Sequence, residues 1–547
     1  MSSKAWLSSL ACTLGVSLFA LLHACRAADS ESVADQPART PNILFVFSDD
    51  HATHAIGAYG GSLAELNPTP NIDRLAAQGM RFENSFCTNS ICGPSRAVIL
   101  TGKHSHKNGF KHNGDRFDGD QQTFPKLLQT AGYRTAMIGK WHLGSDPQGF
   151  DHWDVLPGQG DYYNPVLVSA EGRRQVEGYC TDIVTELAID WMESIADSDQ
   201  PFLLMCQHKA PHRNWMPALR HLGLYGDIQI PEPATLFDRY EDNASPARIQ
   251  EMEIDRHMHL TYDLFAEGAE GAEGWPTEEV VATDRSGHRN LEKMTPTQRA
   301  AWDAGYAEEN ARLLAERPVG ADLVRWKYQR YLKNYLRAIR GVDDSVGRLV
   351  AYLETAGIAD ETVVIYSSDQ GFYLGDHGWY DKRWMYEESL KMPLIVRWPG
   401  VTEPGAIDRH LVQNLDYAQT FLELAGAEQP EDMQGHSLVN LLRGREVAWR
   451  DSIYYHYYAF PSVHQVARHN GVRTERFKLM RFYEFDEWEL YDLARDPDEL
   501  HNVYGQPEYA NDVVALQAEL EALRTRYEDP TDVTPRPVEW RESHRAR

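Results

Sequence analysis

The chain has 547 residues, 42% apolar and 11% aromatic, enough to bury a large core. That length suits one big α/β domain with an appendage, or roughly two to four smaller domains. Its 81 acidic residues outnumber 54 basic ones, and the formal charge of −27 excludes nucleic acid or an anionic membrane surface as a general partner.

Residues 1–28 carry Lys4, an apolar stretch from Leu7 to Leu22 and then small residues, the layout of a secretory signal. The mature protein is therefore expected to be exported, to the periplasm or beyond the cell. Leu22-His23-Ala24-Cys25 loosely resembles a bacterial lipoprotein processing box, so a lipid anchor stands beside soluble release as an expectation. No later run is long and apolar enough to span a bilayer. Removing the segment takes away Cys12 and Cys25 and leaves Cys87, Cys92, Cys180 and Cys206. Two disulfides, including a tight Cys87–Cys92 loop, are open, but they would not form a framework in a chain this long.

After a polar linker at 29–40, NILFVFSDDH reads as a buried strand, Asn42 to Phe47, that stops at Asp49 and Asp50. TPNIDRLAAQGMRF then reads as a helix with Asn71 near its start. YRTAMIGKWHLG is a second strand leading to Lys140 and His142, and PFLLMCQHKAPHRNWMP a third with His208, His212 and Arg213 at its end. Residues 222–318 turn polar, with AEGAEGAEG at Ala266 to Gly274, and read as surface decoration. VRWKYQRYLKNYLRAIRGVDDSVGRLVAYLETAG has helical apolar spacing closed by Gly357, with Gly341 as the place where that helix would break. The β-branched run Thr362 to Tyr366 repeats the strand pattern and ends at Asp369 and Gln370.

Four apolar runs, each ending in ionisable residues and separated by helical patterns, predict an α/β fold. Its sheet is doubly wound and mostly parallel, flanked by helices, and the site lies at the carboxyl ends of the strands. From about Asp451, SIYYHYYAF, GVRTERFKLMRFY and EWELYDL predict a smaller antiparallel sheet, followed by a helix from Asn511 to Tyr527. The expected division is a main domain at 41–445 and a C-terminal α+β subdomain at 446–547.

Asp49, Asp50, Asp369 and Gln370 form an all-oxygen donor set, which suits Ca²⁺ or Mg²⁺ better than zinc. The competing reading is four solvated loop-end residues. Cys92-Gly93-Pro94-Ser95-Arg96, followed by the run from Ala97 to Gly102, resembles the signature of the formylglycine-dependent (type I) sulfatases. The resemblance continues through FSDDH, GKWHLG, KAPHRNW, SSDQG, DKRWMYEESLKMPLIV and ELYDLARDPDE, nearly the whole mature chain.

What the resemblance implies is specific. The fold would be alkaline-phosphatase-like. Cys92 would be oxidised to formylglycine (3-oxoalanine) by a formylglycine-generating or anaerobic sulfatase-maturating enzyme, and the hydrate would attack sulfur and later expel sulfate. Ca²⁺, rather than Mg²⁺, would be held by Asp49, Asp50, modified Cys92, Asp369 and Gln370, where relatives usually have Asn. Arg96 would support the nucleophile and the acidic ligands, and Lys140 and Lys382 would bind sulfate oxygens. His142 would take a proton in the elimination step, and His212 would act as general acid on the leaving oxygen.

GQGDYYNP, KAPHRNWMP and DHGWYDKRWMYEESLK resemble the N-acetylglucosamine-6-sulfatase type within that family, which acts on glycosaminoglycan fragments. Arg213, Asp376, His377 and His469 are the expected sugar contacts. His208, Trp141 and Trp384 read as structural. A phosphate or phosphonate ester hydrolase on the same scaffold is the first alternative. A non-catalytic carbohydrate-binding relative is the second, and it should lack a ligand or nucleophile, whereas none is missing.

Overall fold

The computed structural model describes residues 40–269 and 291–545. The expected signal segment and nearly all of the linker lie outside the described residues, as does part of the AEG-rich stretch.

A ten-stranded sheet organises the chain. Its members are β1 (Asn42–Ser48), β2 (Met80–Phe82), β3 (Arg134–Lys140), β4 (His152–Leu156), β5 (Val166–Ser169), β6 (Gly172–Gln175), β7 (Phe202–Gln207), β8 (Thr362–Ser368), β9 (Leu394–Arg397) and β10 (Ala406–Asp408). The spatial order is β10-β2-β9-β8-β1-β7-β3-β4-β5-β6. Its centre, β8-β1-β7-β3-β4, is wholly parallel, and antiparallel pairings occur only towards the edges.

Because both faces of these central strands are covered, they read as continuous apolar runs rather than as alternation. Ile43, Phe45 and Phe47 of β1 join one core, and Leu44 and Val46 join another on the opposite face. The first face receives Ala97, Ile99 and Leu100 of α1 (Cys92–Thr101). The second receives Val184, Ala188 and Trp191 of α2 (Cys180–Ser194) and Val342, Val346 and Leu349 of α3 (Ala321–Thr355). Each large apolar side chain buried in this way contributes about 1.5–3 kcal/mol.

Two expectations change. The helix α3 runs unbroken through Gly341 for 35 residues. That glycine supplies space rather than a hinge, since a Cβ there would lie 3.2 Å from Tyr179 Cε1. The polar segment after Leu222 is not decoration either. Ile230, Leu236, Ile254, Met258 and Leu264 are buried against Leu332, Tyr335 and Ile339 of α3, forming a third core above the carboxyl ends of the strands.

The C-terminal sheet is antiparallel as expected, in the order β11 (Ser452–Tyr457), β12 (His469–Thr474), β13 (Phe477–Phe482), β14 (Glu487–Asp492). One face packs Tyr454, Val472 and Leu479 against Leu516, Leu520 and Leu523 of α4 (Ala510–Arg526). The other face turns Tyr455, Tyr457, Met480 and Phe482 into the main core. Four charges, three of them buried and Glu387 half-buried, add to this junction. Arg473 lies 3.2 Å from Glu387, and Lys478 lies 2.9 Å from Glu387 and 2.8 Å from Glu499. Cys87, Cys92, Cys180 and Cys206 are all buried free thiols, so neither the Cys87–Cys92 loop nor another bridge among them forms.

Candidate active site

The register of the central strands assembles the site. Ser48 of β1 pairs with Ser368 of β8, so the next residues, Asp49 and Asp369, emerge side by side. The Asp50 backbone amide donates to Asp369 Oδ1 at 3.0 Å. At the neighbouring strand ends, Gly139 faces Gln207. Gly139 has φ +109°, and a Cβ there would lie 1.9 Å from the Gln207 carbonyl oxygen. Only glycine allows this close turn, which delivers Lys140 to the pocket.

Cys92 begins α1 with Pro94 in the first turn, where a missing N–H costs little. Oxygens of Asp49 and Asp369 and the Cys92 sulfur lie within 4.8 Å of one another, all buried. Arg96, one helical turn on, ties this group together. Its Nε and Nη2 donate to Asp369 Oδ2 at 3.2 and 3.0 Å, and Nη2 lies 3.5 Å from Asp49. Its Nη1 donates to the Lys140 carbonyl at 2.7 Å and to Gln207 Oε1 at 2.6 Å.

The carboxylates repel one another. Burial, with Asp49 beside it, pushes Asp369 well above the usual carboxyl range. Burial likewise raises Asp50 to about 7, with Asp49 adding to the effect and Lys382 opposing it. Burial also works against charge on Asp49, yet Lys140, His212 and Arg96 together hold it well below that range. Gln370 donates its amide to Asp50, and its Oε1 is buried without a hydrogen-bond partner among the described residues. Crowded carboxylates with an orphaned amide oxygen are what a hard divalent cation satisfies, so the donor set fits Ca²⁺ or Mg²⁺.

Cations surround this acidic centre. Lys140 Nζ contacts Asp49 and Gln159, and Lys382 Nζ lies 2.6 Å from Asp50. His212 Nδ1 bonds the Arg213 carbonyl at 2.7 Å, which leaves Nε2 facing the pocket, 3.8 Å from Asp50. Burial and then Lys140 lower both His212 and His142 well below the ordinary imidazole value. His142 has φ +57° and leaves Nδ1 without a hydrogen-bond partner among the described residues.

Nine predicted residues thus gather in one cluster: Asp49, Asp50, Cys92, Arg96, Lys140, His212, Asp369, Gln370 and Lys382. His142 follows Lys140 within its field. The four expected sugar contacts each have partners of their own. Arg213 spends its fork on Asp263, at 2.6 and 2.9 Å. Asp376 pairs with His54 at 3.2 Å, and His377 with Asp238 at 3.1 Å. His469 is buried against the rings of Trp384 and Tyr455, with Nδ1 on the Ala467 carbonyl. His208 is structural as expected, 2.9 Å from Ser345, and Trp141 and Trp384 are buried.

Three residues escaped the sequence reading. Gln207 anchors Arg96, Gln159 touches Lys140, and Asn113 donates to Cys92 Sγ at 3.4 Å while accepting from the Gly93 amide at 3.1 Å. Gln207 could have been flagged by its place at the end of an apolar strand and Gln159 by its GQGDYY context. Asn113 carried no such signal.

The sulfatase family model matches residues 41–427, and a second model, N-sulphoglucosamine sulphohydrolase, C-terminal, matches 375–526. The chain is 47% identical over 500 residues to an N-acetylglucosamine-6-O-sulfatase of Bacteroides thetaiotaomicron, covering 90% of this chain and 87% of that one. The solved structure of BT4656 in complex with its substrate D-glucosamine-2-N,6-O-disulfate is 46% identical, with a TM-score of 0.84, covering 90% of this chain and 99% of that one. A phosphonate monoester hydrolase from Silicibacter pomeroyi shares the fold alone, at 20% identity and a TM-score of 0.65, covering 90% and 96%. With the family model spanning the strands and helices that build the acidic centre, and with a relative this similar over nine-tenths of its length, the chain belongs to the sulfatase family.

Proposed function

We propose that this sulfatase hydrolyses a sulfate ester on a hexosamine, with the 6-O-sulfate of a glucosamine unit as the bond cleaved. The observation that carries the reading is Cys92 at the start of a buried helix, within 4.8 Å of two carboxylates and ringed by Arg96, Lys140 and Lys382. The 6-O specificity rests on the relatives named above.

Cys92 stands for formylglycine, whose hydrate supplies one hydroxyl to attack sulfur and a second to expel sulfate. Asp49, Asp50, Asp369 and Gln370 would hold Ca²⁺, which lowers a hydroxyl pKa and neutralises charge on the ester. The remaining work falls to the chain itself. Lys140 and Lys382 bind sulfate oxygens, and the amide end of α1 adds a field that favours the anion. His212 Nε2 delivers a proton to the leaving sugar oxygen. Burial first and Lys140 next hold its imidazole neutral without substrate, and an anionic ester between the two lysines offsets the part that is repulsion. His142 takes a proton when sulfate departs. Arg96 keeps the carboxylates and the helix start in register.

Export, and conversion of Cys92 by a maturating enzyme, complete the proposal. Among the described residues no helix is long and apolar enough to cross a membrane. The test combines a mass spectrum of the Ser90–Gly102 peptide with turnover on sulfate and phosphate esters of the same hexosamine. Formylglycine with sulfate preference is expected; an unmodified thiol in active enzyme, or phosphate preference, would refute the reading.

A further inference from the structure

Asp50 stands in the left-handed region of backbone space, at φ +66°. That conformation costs free energy in a residue with a side chain and persists where surrounding structure holds it. Neighbouring elements hold it one backbone group at a time. The Asp50 amide donates to Asp369 Oδ1 at 3.0 Å, and the His51 amide donates to Ser368 Oγ at 2.9 Å. Tyr335 Oη donates to the Asp50 carbonyl at 2.7 Å and accepts from the Ala52 amide at 2.9 Å. One hydroxyl thus bridges the backbone on either side of His51 and closes the turn.

Tyr335 comes from the middle of α3, far from both acidic loops in sequence. Its ring reaches the second of those loops. It stacks on Phe372, with centroids 5.7 Å apart and planes 10° from parallel. Phe372 follows two residues after Gln370, whose side-chain amide donates to Asp50. Asp50, Ala52, Tyr335 and Phe372 are all fully buried. Deleting the hydroxyl would therefore leave a buried carbonyl and a buried amide without this partner, which is costly.

Metal ligands depend on the groups behind them for their orientation. We propose that Tyr335 is a positioning residue for the divalent-ion centre: its hydroxyl fixes the Asp50 turn and its ring fixes the segment after Gln370, so that ligands following β1 and β8 are set before the ion binds. This role rests on the reading of Asp49, Asp50, Asp369 and Gln370 as Ca²⁺ ligands. Without the hydroxyl the Asp50 turn relaxes into other backbone conformations. Apparent affinity then falls with the fraction of chains that keep the binding form, and if about one chain in ten keeps it, the Kd rises about tenfold.

The test uses the full chain with Cys92 converted, stripped of divalent ions by a chelator and titrated with Ca²⁺ in a calorimeter. Tyr335→Phe, which keeps the ring and loses the hydroxyl, is expected to raise the Kd about tenfold or more. Turnover plotted against free Ca²⁺ should shift by the same factor and recover most of its plateau, because excess ion repopulates the binding form. A tyrosine that serves stability alone behaves differently. Tyr306→Phe removes another buried hydroxyl, one that bonds Asn334 of α3 at 2.8 Å, and should lower the melting temperature while leaving the Kd unchanged. Phe372→Leu, which keeps the hydroxyl and loses the stack, should raise the Kd by a smaller factor, and it covers the case in which Tyr335→Phe does not fold. A Kd within about twofold of wild type in Tyr335→Phe, or in Phe372→Leu where only that variant folds, would overturn the positioning role. A fully converted wild-type chain that binds no Ca²⁺ would overturn the metal reading, and the role of Tyr335 with it.

Discussion

Replacing Gln207 with leucine should disable the site from a position that does not touch the nucleophile and lies outside the Cys92–Arg96 signal in sequence. Gln207 is 3% exposed and accepts from Arg96 Nη1 at 2.6 Å. Leucine fills similar volume but leaves a buried guanidinium N–H facing an apolar group. A hydrogen bond to a charged group is worth about 1.5–3 kcal/mol when buried. Arg96 keeps Asp369, Asp49 and the Lys140 carbonyl, so about 2 kcal/mol is the expected loss, equivalent to about 30-fold in a rate or an equilibrium. The assay is kcat/KM per converted site, with formylglycine occupancy taken from the Ser90–Gly102 peptide mass, alongside thermal melting. Occupancy should stay at the wild-type level while turnover per converted site falls. Gln207→Glu, which restores an acceptor, should recover much of it. Turnover within about twofold of wild type, with unchanged melting, would refute the role given to Arg96 as the tie between carboxylates and helix.

Removing divalent ions with a chelator should abolish turnover and lower the melting temperature, with Ca²⁺ restoring both, because the crowded Asp49, Asp50 and Asp369 lose their counter-charge; Gln370→Ala should weaken Ca²⁺ binding by about tenfold or more in calorimetry. A second prediction concerns pH. Glu489 is fully buried, accepts from Tyr386 Oη at 2.7 Å and from the Ala244 amide at 2.6 Å, and burial raises its carboxyl to about 7. The folded chain therefore holds a proton that the unfolded chain releases near 4.5. This contribution is complete below that pH and is lost as pH rises to about 7, at a cost of about 3 kcal/mol. Denaturant unfolding of Glu489→Gln should show a flatter pH dependence than wild type across that window, and an unchanged difference between pH 4.5 and 7 would disprove it.

Much of the site was legible because chemistry at strand ends leaves a pattern. A buried parallel strand must be apolar on both faces, so Asp49, Asp50, Asp369 and Lys140 stand out where such runs stop. What escaped is neutral. Gln207 and Asn113 act through amide groups whose partners are fixed only by tertiary contact; the strand end marks where Gln207 stands but not that it holds Arg96. The polar stretch after Leu222 misled because its apolar residues are sparse and irregularly spaced. They bury Ile230, Leu236 and Ile254 one at a time against α3 rather than along a helix face or strand. Gly341 misled for a different reason: its lack of a side chain answers to Tyr179 across the interface and not to its own backbone. Arg213 and His469 are expected at the sugar from their place in the sequence; in the fold Arg213 pairs with Asp263 and His469 lies in an aromatic stack.

The charge cluster of Glu387, Arg473, Lys478 and Glu499 bears on how this molecule could be taken apart or recombined. Glu387 sits five residues after Lys382, and its partners Arg473 and Lys478 belong to β12 and β13. The segment that carries Lys382 is thus fastened to the C-terminal sheet by ion pairs. Removing the chain beyond residue 445 would leave Glu387 without the two cations that pair with it and free the turn around Lys382. Exchanging C-terminal sheets between relatives would carry the same hazard unless the graft began before Asp376. The two sheets are separate in topology, but they share one mechanical part, and a modular swap must move that part whole.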